Sequence, residues 1–466
     1  MTQIKVEESL RNPFSVVDRD AVLLAYNNVF LRGVKGELAQ DLQEALRCGL
    51  IDELVSKRMI PETSKSEVDI EGYDLVLNHE KLEFVSYPHE WSFSMLRDAA
   101  YLVLNVSEIA HKYGFQLKDP HSYNIVFDAN KPVFVDVGSL VRSKVSTSKA
   151  KISTYQEFLS CYYYPLYLWS KGDIYTARKW MQRWKIMTPV ESFVSYRFGF
   201  APRKLKELLA KFYRYDARLQ NYGNGRVLTG LADTLVRAWP WRDKATLTSL
   251  RKRLGNLEQP KVKSAWGEYH GMYDVQSAFH KRISTIADLA TELTPASVVD
   301  IAGNQGVVLS EVAKRMNLGK ATCVDYDVQA IENGYIKAKE DSRLNYAVVN
   351  PFYPECNNFE TQPSSRFSSE LVMALAVTHH LFLGQGYDIN YVFGKIAEYS
   401  TRYVMIEFMP LGLYSSVTRK GTTPPDWYTC NWFRENFETH FKVLNVLELE
   451  ENRTLFIGEL LDKKER

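Results

Sequence analysis

The run Val298-Val299-Asp300-Ile301-Ala302-Gly303-Asn304-Gln305-Gly306 takes an apolar stretch of strand length through an acid and two glycines into a helical pattern over Val307 to Met316. A turn of this kind, from the carboxyl end of a strand into a helix, opens a doubly wound sheet, and its small residues let a nucleotide-like ligand approach the backbone. Nineteen residues beyond Gly306 a second apolar run ends at Asp325, in Cys323-Val324-Asp325-Tyr326-Asp327. A carboxylate at that place accepts both hydroxyls of a ribose. Further strand-length runs at Tyr346 to Val349, Leu371 to Ala376 and Tyr403 to Phe408 alternate with helical periodicity. That alternation predicts a mostly parallel sheet covered on both faces. Val443 to Leu449 and Thr454 to Leu460, parted by the turn formers Glu451-Asn452, read as a closing hairpin.

A ribose anchor is shared by two ligand classes, and the other half of the ligand separates them. A dinucleotide site wants G-x-G-x-x-G with the pyrophosphate on a helix N-terminus. Here the turn carries Asp300 at its mouth and only two glycines, and an acid suits an ammonium group rather than a pyrophosphate. S-adenosylmethionine has an ammonium at its amino-acid end, a ribose and an adenine, so it is the expected cofactor. The alternative is a packed βα turn with no ligand.

Asp300 to Gly306 resembles motif I of the class I S-adenosylmethionine-dependent methyltransferases, and Leu371-Val372-Met373-Ala374-Leu375-Ala376-Val377-Thr378-His379-His380-Leu381 resembles their fourth-strand motif. With Arg366, Met405-Ile406-Glu407-Phe408-Met409-Pro410, Arg453-Thr454-Leu455, Tyr87 to Met95 and Leu117 to Ile125 added, nearly the whole chain is similar to the bacterial family that includes the rhizobial nodulation protein NoeA. The resemblance implies a Rossmann-like domain over residues 278–466 with a mostly parallel seven-stranded sheet. Carried onto this sequence, it places Asp300, Gly303, Asn304 and Gly306 along the methionine end of S-adenosylmethionine. It puts Asp325 at the ribose, Tyr326 on one face of the adenine and Asn350 at the adenine edge, where many relatives use Asp. The family pattern has Gly two residues after the first acid; here that residue is Ala302.

Methyl transfer to a hydroxyl needs a base, and histidine serves near neutral pH. His379 and His380 follow the fourth strand and are the candidate catalytic residues; the alternative is that they begin a helix and bond locally. Glu407 either binds substrate or pairs with an arginine such as Arg366. Trp266, Tyr269 and Tyr273 precede the first strand of this domain, as a lid or as packing between domains.

Residues 1–145 read as an α+β module. It has β-type runs at Ala21 to Arg32, Tyr73 to Leu77, Leu82 to Ser86, Ile125 to Phe127 and Val133 to Asp136, and helical patterns over Glu37 to Lys57 and Ser94 to Lys112. Asp119 and Asn124 have the D-x-x-x-x-N spacing of a kinase catalytic loop, and Asp136-Val137-Gly138 stands where a metal-binding D-F-G would. The module therefore resembles protein kinases and aminoglycoside phosphotransferases, which implies ATP and magnesium as ligands. Arg32 or Lys35 would be its strand cation and Glu44 the helix partner. It lacks a glycine-rich loop before that strand. Transfer, binding without transfer and a structural remnant all stay open. Residues 146–258 are the helical extension of this module, with an aromatic run from Tyr162 to Trp169, and residues 259–277 form a linker or lid.

Composition bounds the rest. The chain has 466 residues, 45% hydrophobic and 24% charged, as globular multidomain proteins do. Lys plus Arg exceed Asp plus Glu by 58 to 56, so a nucleic-acid partner is not expected. A local surplus lies in residues 201–256, with 13 Lys and Arg against 4 Asp and Glu, and reads as solvated helix faces or a polyanion site. The five cysteines form no C-x-x-C pair, so neither a metal site nor a disulfide framework is expected, and a cytoplasmic setting is. No apolar run is long enough for integral membrane association. The fold class is thus α/β multidomain, and the expected function is O- or N-methylation of a small-molecule or saccharide acceptor. A bifunctional kinase and methyltransferase, and a non-catalytic scaffold that binds nucleotide or S-adenosylmethionine, are the alternatives.

Overall fold

A computed structural model describes residues 2–5, 20–27, 29–143, 150, 152, 154–182, 190–207, 209–210, 246–260, 264, 278–340, 344–415 and 420–462. The chain forms two compact units. The first comprises residues 1–89, 95–128 and 132–261; the second comprises 262–466 together with the short stretches 90–94 and 129–131. The aromatics Trp266, Tyr269 and Tyr273 and most of the basic stretch 201–256 lie outside the described residues.

The first unit carries a four-stranded antiparallel sheet in the order Ala21–Tyr26, Val29–Val34, Leu75–His79, Thr63–Lys65. The run from Ala21 to Arg32, read as one strand, is a hairpin that turns at Asn27, whose φ is +45°. Leu82 to Ser86 is a loop and not a strand. Leu75–His79 already has a neighbour on each edge, so that strand offers the following segment no place beside it. The helical run expected over Glu37 to Lys57 is two helices, Gly36–Arg47 and Leu50–Ser56, broken where Gly49 takes φ +85°. The longest helix spans Phe93–Lys112. Two small antiparallel pairs follow, Phe115–Leu117 with Leu140–Arg142 and Ile125–Asp128 with Lys131–Phe134. The aromatic run from Tyr162 to Trp169 is helical and mostly buried, through the π turn Leu159–Tyr163 into Tyr164–Ser170. These rings are core, as helical spacing favours.

Elements of the second unit are numbered in chain order. They run α1 (Ala278–Glu292), β1 (Ser297–Ile301), α2 (Val307–Arg315), β2 (Lys320–Asp325), α3 (Val328–Lys337), β3 (Leu344–Val348), β4 (Ser369–Ala374), α4 (Ile389–Tyr399), β5 (Ser400–Phe408), α5 (Cys430–Phe437), β6 (Phe441–Glu450) and β7 (Arg453–Leu460). The seven strands make one sheet in the order β3-β2-β1-β4-β5-β7-β6. Strands β3 to β5 pair in parallel, and β7 runs antiparallel to both its neighbours. β1 is the middle one of the five parallel strands, and there Asp300 lies between Cys323 on β2 and Met373 on β4. The chain leaves β1 toward β2 on one side and returns to β4 on the other, so the switch point of the sheet falls between β1 and β4.

Val298, Val299 and Ile301 of β1, Ala321, Cys323 and Val324 of β2, and Leu371, Val372 and Met373 of β4 are fully buried, as strands covered on both faces require. Helix α3 is N-capped by Asp327, whose Oδ1 accepts from the backbone N–H groups of Gln329 (2.9 Å) and Ala330 (3.0 Å). Helix α4 is capped likewise by Asp388 through Tyr391 N at 3.1 Å. Phe393 of α4 meets Phe433, Phe437 and Phe441 edge-on at 5.2, 5.9 and 6.1 Å between ring centres. Each such ring removed from water contributes about 1.5–3 kcal/mol, which fastens the closing hairpin to the sheet.

Candidate functional site

The carboxyl ends of β1, β2 and β4 open on a cavity of about 380 Å³, lined by Asp300, Ala302, Gly303, Asn304, Asp325 and Tyr326. Asn350 to Phe352, Leu375 to Val377, the His380–Gln385 turn and Arg282 line it as well. This is the place where open α/β sheets bind ligands.

The turn after β1 is shaped by backbone signs that most residues avoid. Ala302, Asn304 and Gly306 have φ of +55°, +54° and +70°. Gly303 has a different task. A Cβ built there would lie 2.6 Å from the Asp300 carboxyl carbon, so only glycine lets the acid stand beneath the turn. Asp325 is buried, but both its oxygens are engaged: Oδ2 accepts from Asn304 N and Oδ1 from Asp327 N, each at 2.8 Å. Those bonds fix the carboxyl at the cavity wall and leave lone pairs for hydroxyl donors. Burial pushes its pKa up to about 6, against the lowering effect of the backbone donors.

Asp300 has no such support. It is 2% exposed, and its Oδ1 accepts no hydrogen bond among the described residues. Burial, then the charges of Asp325 and Glu407, push its carboxyl up to about 8, partly countered by Arg282. A cation brought into the cavity would restore the ionised form. Tyr326 follows β2 on the cavity lining, with 54% of its surface exposed. Asn350 uses its side-chain oxygen to accept from Phe352 N and Tyr353 N, both at 3.1 Å, so its amide NH2 is the donor end.

The two histidines separate. His380 borders the cavity, on the π turn His380–Gly384, and burial lowers its pKa. His379 is not on the wall. Its ring lies 4.0 Å from that of His380 but is buried, and desolvation first, then His380 and Arg453, drive its pKa down to about 2. Such a ring stays neutral and is out of reach of a ligand.

Sequence reasoning missed the arginine cluster. Glu407, wholly buried at the end of β5, pairs not with Arg366 but with two other arginines, Arg282 of α1 (3.3 Å) and Arg453 of β7 (3.0 Å). Thr378 Oγ1 donates to the Glu407 carbonyl at 2.7 Å and ties the turn after β4 to this cluster. Arg366 instead makes a two-pronged pair with Glu90: Nη1 donates to Oε2 at 2.9 Å, and Nη2 donates to Oε1. Only Glu407 and Arg453 of these residues stand near strand ends; Arg282, Arg366 and Glu90 lie on helical turns, where the sequence carries no signal for the pairing.

In the first unit, Asp119, Asn124 and Asp136 occupy one corner. Asn124 Nδ2 donates to the Asp119 carbonyl at 3.2 Å, His121 N to Asp119 Oδ1 at 3.1 Å, and Val135 N to the Asn124 carbonyl at 2.8 Å. Asp136 is ion-paired with Arg32 at 3.0 Å. Glu44, expected as partner to the strand cation, bonds Arg47 on its own helix instead. Glu157, which sequence reasoning did not single out, stands beside Asp119. Burial and that neighbouring acid push its pKa up to about 8. Among the described residues no group of three or more His, Cys, Asp or Glu side chains is placed to hold a metal ion, and no helix is long and apolar enough to cross a membrane.

No family model matches the chain. A curated relative is nodulation protein NoeA of Rhizobium meliloti (strain 1021), 27% identical over 353 residues, which are 72% of this chain and 71% of that protein. Among solved structures, the N-methyltransferase NodS from Bradyrhizobium japonicum WM9 is similar at 12% identity and a TM-score of 0.30, over 40% of this chain and 98% of that one. The methyltransferase domain of bacterial CtHen1-C is similar at 15% identity and a TM-score of 0.31, over 40% and 100%. By sequence, then, this chain is similar to the nodulation protein NoeA along most of its length, and its second unit carries a Rossmann-like α/β sheet with an open cavity at the switch point.

Proposed function

We propose that the second unit binds S-adenosylmethionine in this cavity and transfers its methyl group to an oxygen or nitrogen of a small-molecule or saccharide acceptor. The observation that carries the reading is Asp300: a buried acid with an oxygen that no described residue satisfies, at the wall of a cavity also lined by a second acid, Asp325, which is held by two backbone donors. An ammonium group satisfies the first and ribose hydroxyls the second. A pyrophosphate would meet two acids instead of the glycines and helix N-terminus it needs. Gly303 and Asn304 then line the amino-acid end and Gly306 supports the turn behind them. Tyr326 offers a face to the adenine, and Asn350 serves the adenine edge as a donor, where an aspartate would accept.

When bound, S-adenosylmethionine supplies an electrophilic methyl on its sulfonium. The protein's part is to align an acceptor with that methyl and to take a proton where the nucleophile is a hydroxyl. Of the two histidines, His380 is the residue we assign to the proton, because it borders the cavity and burial lowers its pKa, while His379 supports it from behind. For the first unit we infer a structural or binding role in place of phosphotransfer. Asp136, the acid that would hold magnesium, is neutralised by Arg32, and an arginine does not replace lysine at a phosphate contact of fixed geometry.

Calorimetric titration with S-adenosylhomocysteine tests the cofactor reading. Binding is expected for the natural sequence, with a loss of tenfold or more in Asp325→Ala. Absence of heat, or equal affinity in the variant, would refute it.

A further inference from the structure

The turn after β1 is held by a strand that is not its neighbour. Tyr346 stands on β3, where it is in register with Cys323 of β2, so that a whole strand separates it from β1. Its buried side chain crosses that gap, and Tyr346 Oη donates to the Gln305 carbonyl at 3.2 Å. Helix α3 leaves room for the ring. A Cβ on Gly334 would lie 2.6 Å from Tyr346 Cε1 and 2.8 Å from Gln305 O. Glycine inside a helix costs about 0.5–1 kcal/mol relative to alanine, and here it lets helix, ring and turn meet at one carbonyl. Three residues further along the same helix, Lys337 Nζ donates to Gln305 Oε1. Gln305 is therefore gripped by its main chain from β3 and by its side chain from α3.

The residue before it is gripped from β2. Asn304 N donates to Asp325 Oδ2 at 2.8 Å, and Cys323 Sγ donates to the Asn304 carbonyl at 3.6 Å. The turn needs this support, because Ala302 and Asn304 both hold positive φ, and such a backbone persists only where its surroundings over-determine it. We propose that Tyr346 is a positioning residue for the cofactor, with Gly334 and Lys337 as its accessories. It acts through the Gln305 carbonyl, keeping Gly303 and Asn304 in the shape that receives the amino-acid end of the ligand before the ligand arrives. A pre-formed turn spares the ligand the ordering cost on binding. The inference rests on the S-adenosylmethionine reading and names what pre-forms its site.

The test compares two ligands on the full chain by calorimetry. S-adenosylhomocysteine has the amino-acid end; 5′-methylthioadenosine keeps the adenine, ribose and thioether but lacks it. Tyr346→Phe keeps the ring and removes the donor. It is expected to weaken S-adenosylhomocysteine about three- to tenfold, the range of one neutral hydrogen bond, and 5′-methylthioadenosine by clearly less. Lys337→Met releases the Gln305 side chain and is expected to act in the same direction with a smaller effect; as an exposed position it also serves where the phenylalanine variant does not fold. A merely structural tyrosine would lower the melting temperature and leave the ratio of the two affinities unchanged. That result, or unaltered binding of both ligands, would overturn the positioning role and leave the cofactor reading intact. Failure of the unaltered protein to bind either ligand would overturn both.

Discussion

Glu90 and Asp300 belong to the same unit and are equally buried, each 2% exposed, yet the protein treats them in opposite ways. Glu90 receives both prongs of Arg366. Among the described residues Asp300 keeps an oxygen without a partner, at a cavity wall, under a glycine that alone leaves it room. A satisfied buried acid is a structural element; removing its partner is what hurts. A buried acid left unsatisfied is a cost to the fold, and such sites concentrate where a ligand completes them. Asp136 in the first unit is a third case, half-buried and matched by Arg32. Its charge is spent inside the protein.

The contrast is most easily broken at the satisfied end. Arg366→Leu leaves Glu90 buried without its counter-charge and is expected to destabilise the second unit by about 3–5 kcal/mol. The double variant Glu90→Leu with Arg366→Leu should recover most of the loss, both read by denaturant unfolding. A mild effect in the single variant would mean that Glu90 is not structural in the sense used here.

Asp300→Asn sharpens the other end. With a folded pKa of about 8 against an ordinary 3.8, native Asp300 holds a proton that the unfolded chain releases. Stability therefore falls as pH rises between about 4 and 8. The asparagine variant lacks that slope, so it is expected to melt above the natural protein at pH 8, with the gap closing toward pH 4. For ligand binding the sign reverses. An ammonium needs the ionised acid, so affinity for S-adenosylhomocysteine should rise from pH 6.5 to 8, by up to about tenfold per unit, and should be lower and flatter in Asp300→Asn. A pH-independent affinity in the natural protein would separate Asp300 from the ligand.

The smallest effect concerns the backbone that carries the unsatisfied acid. Ala302 holds φ +55°, a conformation that costs an L-residue about 1–2 kcal/mol. Ala302→Gly relieves it and loses part of the gain to the greater freedom of the unfolded chain. A net stabilisation of about 0.5–1 kcal/mol is expected in thermal unfolding, with ligand affinity equal or higher.

The sheet was readable because its strands are buried on both faces and so stand out as unbroken apolar runs. The edges of β1, β2, β4 and β5 fell within a few residues of their place, and with them Asp300 and Asp325. Leu82 to Ser86 was misread because alternation alone does not reveal whether a neighbouring strand is free. The pairings were not readable at all. Arg282 and Glu407 are 125 positions apart and Glu90 and Arg366 are 276 apart, and local spacing carries no information at that range. Nor does sequence distinguish adjacent His379 and His380. A π turn, set by packing, sends one ring to the cavity and the other inward.

The second unit borrows residues 90–94 from far upstream, and they are not ornamental. Besides Glu90, Ser94 satisfies the wholly buried Glu332 through its backbone N–H (3.0 Å) and its hydroxyl (2.6 Å), across 238 positions of chain. A gene fragment cut at the apparent border near residue 261 would leave Arg366 without the Glu90 carboxylate and Glu332 without the Ser94 donors. During synthesis residues 90–94 emerge long before Glu332 and Arg366, so the second unit closes these contacts only after its later residues have been made.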